Sequence, residues 1–256
     1  MCSSNVAIPH IIESLRRLTI LEREYTETNH QASLGIKAVI ALLLNSILIP
    51  IIANEFIKEK NIYGVKGLAY DVFLLGITNS FLQPIMKVFD MYYYYTRILA
   101  WWYNKSEQKL YLNQPDLNLY NEYIEFETGY EYIYIVNLFL FTCFFVSLQP
   151  IISVFALVGM IMMYWAQKYS VYSRTKRPVP GTTAINTAMY QLIYMGPLFF
   201  SLGNFTWSHF LTEEQDYDAD PARLIPNIIS VALSVIIFIL PYRLIFELIF
   251  DDEVEL

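Results

Sequence analysis

The side chains able to do chemistry in this chain stand mostly inside long apolar stretches, where a charge or an amide is expensive. Five ionisable residues fall there: Lys37, Asp71, Lys87, Arg243 and Glu247. In hydrocarbon such a residue marks a pathway or a paired site unless it reaches the interface. Lys37, Lys87, Arg243 and Glu247 lie close to the end of a stretch, from which they can snorkel to water. Asp71 is too short for that and reads as standing either at an outer mouth or on a permeation path. The uncharged polar residues are more coherent. Asn79 and Gln83 share a helical face with Gly76, with Thr78 and Pro84 beside them. With Gly76 and Pro84 as hinge points, this stripe describes a helix that bends and lines a hydrated cavity. Asn45, Asn137 and Thr142 extend it onto neighbouring apolar segments. Interhelical hydrogen bonding is the packing alternative for each amide. Amides on three neighbouring segments favour a pore or cavity.

Other chemistry finds little footing. Asp216, Asp218 and Asp220 alternate as in a calcium loop, but the sixth and twelfth positions are Pro221 and Asn227 rather than Gly and Glu. They read instead as a solvated acidic loop that concentrates cations near an outer mouth. His10, His30 and His209 lack the spacing of metal ligands, and Cys2 and Cys143 form no disulfide framework. No nucleophile elbow, zinc-protease or phosphate-loop pattern occurs, so no enzyme, cofactor or metal site is expected. A net charge of −7 carries no nucleic-acid footprint. Asn104-Lys-Ser and Asn204-Phe-Thr fit the glycosylation pattern, but one falls on the cytosolic side and the other at a membrane edge.

The elements that must position these residues follow from the apolar runs. From Ile133 to Gln167 the chain has 35 residues without a formal charge. One straight helix of that length would measure about 52 Å against a bilayer core of about 30 Å. Two helices turning near Gln149-Pro150 fit. The chain is 55% hydrophobic and only 16% charged, against about 25% charged in soluble domains. The reading is an all-α polytopic membrane bundle of about six spans: 34–54, 67–89, 132–149, 151–167, 184–207 and 225–248. A cytosolic lead-in (1–33) precedes it and an acidic cytosolic tail (249–256) follows. Met1 to Tyr25 lacks the apolar core of a signal peptide. Loops on the side of the termini carry ten Lys and Arg against four on the other, which places both termini in the cytosol. The membrane is then the plasma membrane or an endomembrane. Tyr92–Tyr103 follows the second span; Tyr92, Arg97, Trp101 and Trp102 suit an interfacial helix on the cytosolic leaflet.

In this order the spans resemble the C-terminal membrane region of the OSCA/CSC-like family of hyperosmolality- and stretch-gated, calcium-permeable cation channels, relatives of the anoctamins. The resemblance lies in Glu22-x-x-x-Tyr-Thr-x-Thr followed by Ser33, Lys37 and Asn45. It lies also in Tyr132 through Pro150 to Lys168-Tyr169, where a proline marks the outer turn of a helical hairpin. It covers roughly Glu22 to Leu248 and implies that the first three spans are pore helices with Gly76 near a bend. Family members have eleven spans and a cytosolic domain that supports dimerisation. The chain is therefore expected to be a fragment or a truncated relative. The function implied is the pore-side half of a mechanically or osmotically gated channel, with lipid and permeating cations, Ca2+ among them, as partners. Missing N-terminal helices, another subunit or a second copy would complete it. The alternatives are a lipid scramblase and a non-conducting subunit.

Overall fold

The computed structural model describes residues 27–52, 67–105, 128–176, 183–214 and 221–239. Among them the regular elements are all helices. The first, α1 (Glu27–Leu43), passes into a π-helical turn, Leu44–Leu48, and continues helically to residue 52. Then come α2 (Leu68–Val88), α3 (Met91–Lys105), α4 (Thr128–Phe145), α5 (Ile151–Ser173), α6 (Thr183–Ile193), α7 (Gly196–Glu214) and α8 (Pro221–Ile239). Three stretches are long and apolar enough to cross a membrane: Asn29–Ile52, the run Leu68–Trp102 that joins α2 to α3, and Ile151–Ser173. Glu131–Phe145 and Ile225–Ile239 are shorter apolar helices.

The long uncharged run forms a helical hairpin. Helix α4 ends at Phe145, a turn covers Val146–Gln149, and Pro150 stands at the N-cap of α5. The predicted fifth span is not one helix. It breaks into α6 and α7 at Tyr194–Met195, just before Gly196-Pro197. Pro197 has no N–H to give the carbonyl four residues back; here, unlike at Pro84, the chain turns and restarts a helix with the proline in its first turn, where that N–H is not needed. Within the turn Met195 N–H donates to Leu192 O at 3.1 Å. The lead-in to residue 26, the acidic loop at Asp216–Asp220, the end of the last span with Arg243 and Glu247, and the acidic tail lie outside the described residues.

Helix α4 is the hub, packing on α1 and α6 to one side, on α2 and α5 to another, and on α7, which α8 covers from outside. Its residues Ile133, Leu140, Phe141 and Phe145 are fully enclosed. Trp207 of α7 stacks on Phe145 with ring centroids 5.5 Å apart. Its indole N–H donates to Phe144 O at 3.1 Å. Such closeness needs a small residue opposite, and a Cβ at Gly203 would collide with the Phe144 carbonyl. Helices α2 and α5 meet through small residues at helical spacing: Gly76, Ser80 and Pro84 on one, Ala156, Gly159 and Ala166 on the other. In a bilayer, helices associate by this kind of close packing rather than by escape from water.

Candidate functional site: the seam of α2, α4 and α5

The sequence places a polar stripe on α2, and the fold turns it against α4 and α5. Asn79, Ser80, Gln83 and Pro84 line a small cavity with Tyr134 and Leu138 of α4 and Gly159 and Met163 of α5. Its volume of about 10 Å³ is that of a single water site. Ser80 Oγ is buried there without a hydrogen-bond partner. Close approach closes the seam: a Cβ at Gly159 would stand 2.6 Å from Ser80 O. Gly76 likewise meets Ile152, whose Cγ2 would lie 3.2 Å from an added Cβ. Through Gly76 and Pro84 α2 runs as one unbroken α-helix.

The other predicted residues do not share this cavity. Asn137 lies about 100° round α4 from Leu138, and its Oδ1 is buried without a partner. Thr142 turns its hydroxyl onto its own helix, donating to Leu138 O at 2.7 Å. Asn45 sits half-buried in the π-helical turn of α1. Asp71 occupies the first turn of α2, half-exposed and engaged with a neighbour. Arg97, Trp101 and Trp102 lie on α3, as does the Tyr92 backbone.

At the far end of the seam is a polar clasp. Lys87 of α2 forms an ion pair with Glu131 of α4, and Gln167 of α5 donates to the second carboxylate oxygen at 3.2 Å. The Lys87 side chain is 25% exposed and that of Glu131 12%, so the pair is largely dehydrated. Breaking such a pair leaves an uncompensated buried charge. Lys87 is therefore not simply snorkelling. The hairpin explains the meeting, since Glu131 and Gln167 stand equally far from the turn at Gln149.

One step further, Arg174 caps α5 and is only 3% exposed. Its guanidinium donates to Val88 O at 2.7 Å, to the Tyr94 hydroxyl at 3.0 Å and to the Tyr169 hydroxyl at 3.4 Å. It also lies over the rings of Tyr93, Tyr94 and Tyr169, 4.8 to 5.0 Å from their centroids. Guanidinium suits this setting because it combines forked donors with a flat face that stacks on aromatic rings. Arg174 thus joins the end of α2, the start of α3 and the end of α5.

Exposed aromatic side chains surround this joint. Met91, Tyr94, Tyr95, Ile98, Trp101 and Trp102 form an exposed stripe along α3. Tyr164, Trp165, Tyr169 and Tyr172 are exposed at the end of α5. Ile151 to Tyr172 measures about 32 Å, close to one hydrocarbon thickness. Tyr and Trp collect at such a boundary because one end of the ring is apolar and the other wet. In the sequence alone Lys87 reads as able to snorkel and Arg174 as one basic charge of a loop. Their partners become visible once the hairpin is folded about Gln149. No family model, curated protein or solved structure matches this chain.

Proposed function

We propose that this chain is the tension-coupled, pore-side part of a mechanically or osmotically gated, calcium-permeable cation channel of the OSCA/CSC-like kind. The observation that carries the proposal is the Arg174 joint. Helix α3 lays an aromatic face on the headgroup layer, and Arg174 fastens that helix to the ends of α2 and α5. Lateral tension on α3 then pulls on the helix that carries Asn79 and Gln83. In this reading the seam, with room for about one water, is the closed state of the path. Drawing α2 away from Gly159 would expose both amides along one hydrated path. Both termini are cytosolic in this reading, and cations cross beside the α4–α5 hairpin.

Two other readings meet specific observations. A lipid scramblase needs a polar groove open to the bilayer, whereas the open groove described below is wholly apolar, which counts against it. A non-conducting subunit is favoured by the closure of the seam. Recording from liposomes that hold this chain alone separates the three. The channel reading expects cation current under suction, strongly reduced by Asn79→Leu and by Asp71→Ala. Currents indifferent to both substitutions would remove these residues from the path. Lipid flipping without current would support the scramblase, and silence in both assays the non-conducting subunit.

A further inference from the structure

Two breaks in helical regularity face each other across α1, α6 and α7. One is the π-helical turn Leu44–Leu48, where an extra residue per turn widens α1. The other is the Tyr194–Met195 break between α6 and α7. Between them lies a groove of about 390 Å³, lined by Leu44, Ile47, Leu48, Leu192, Met195 and Phe199. No polar atom lines it. Leu44 and Leu48 are about half-exposed at its mouth, which opens on the outside of the bundle. The stretch that forms this wall, Asn29–Ile52, is one of those apolar and long enough to cross the bilayer.

We propose that this groove is a binding site for a single lipid acyl chain. Its size decides between occupants. A helix about 10 Å across would fill this volume with about 5 Å of its length, less than one turn. A whole helix of a second copy therefore cannot enter the groove; only side chains of one lying across its mouth could reach in. A narrow, flexible hydrocarbon fits: the groove has more than twice the volume of the apolar cavity of about 150 Å³ that takes up benzene. A wholly apolar lining offers a headgroup or hydrophilic ligand nothing to bond. Hydrocarbon is the solvent on that face, and the walls recover dispersion contacts only when the gap is filled. The π turn and the α6–α7 break set the gap's shape, so the chain is held at one place rather than passing as bulk lipid.

The test reconstitutes the full chain in nanodiscs containing phosphatidylcholine with a photoreactive diazirine in one acyl chain. Labelled peptides are then mapped by mass spectrometry. Peptides spanning 40–48 and 192–199 should carry several-fold more label than the exposed face of α8 around Ile228 and Ile236. Leu48→Trp with Leu192→Trp, which fills the groove, should bring that labelling down to the level of α8 and leave α8 unchanged. Leu48→Ser, at a half-exposed position that leaves the core intact, should lower it as well. Equal labelling of groove and α8 in the unaltered chain would overturn the proposal. So would undiminished labelling in either variant, or chain-to-chain cross-links at Leu44→Cys in place of lipid adducts.

Discussion

The two sides of α4 solve the same problem in opposite ways. Toward α2 and α5 the chain uses small residues and polar clasps. Ser80 packs on Gly159, Glu131 takes Lys87 and Gln167, and Arg174 closes the end. On the other side α7 also packs closely on α4, at Gly203 and Trp207, but farther out, where α1, α6 and α7 meet at two helix irregularities, bulky apolar residues leave a groove rather than a seam. In a bilayer a polar group must be paired inside the protein, whereas an apolar gap can be filled by the solvent. The clasped seam is therefore intolerant of change and the wall of the groove permissive.

That contrast can be broken by substitution, with unfolding in detergent micelles as the readout. Glu131→Ala should cost most, up to about 3–5 kcal/mol, because Lys87 and Gln167 both lose the carboxylate they share. The double change Lys87→Leu with Glu131→Leu should recover most of the loss, since no charge is then stranded. Gly159→Leu should come next, at about 1–3 kcal/mol, by forcing α2 off α5. On α7, Trp207→Phe should cost about 1 kcal/mol from the indole bond, plus a smaller packing loss. Leu48→Ala should stay within about 0.5 kcal/mol, because its half-exposed side chain meets hydrocarbon either way. If Leu48→Ala cost as much as Gly159→Leu, the distinction between the two sides would fail.

Much of this architecture is legible in the residues themselves. The run Ile133–Gln167, too long for one span, gives the hairpin, and Pro150 gives its turn. Asn79 and Gln83, four residues apart, share a helical face, and both line one small cavity. What the sequence hides is which neighbour that face meets. Glu131 stands just before the uncharged run and reads as a loop residue until the hairpin brings Gln167 alongside it. Arg174 counts only as a basic loop charge until Tyr93, Tyr94 and Tyr169 surround it. The π turn has no composition signature at all: Leu44–Leu48 continues the helical pattern, and only the folded backbone shows the wider turn. Gly196-Pro197 stands in the sequence of that span, but a Gly-Pro pair signals a kink as readily as the full break seen here.

The Arg174 joint is where fold and proposed function meet, and Arg174→Lys probes it while keeping the charge. An ammonium cannot fork between Val88 O and two tyrosine hydroxyls while also stacking on three rings. The measurement is the suction needed for half-maximal current in liposome patches, comparing the unaltered chain with Arg174→Lys. The coupling account predicts a clearly higher half-maximal suction in the variant, with the current through each open channel unchanged. Equal half-maximal suction in the two proteins would contradict it.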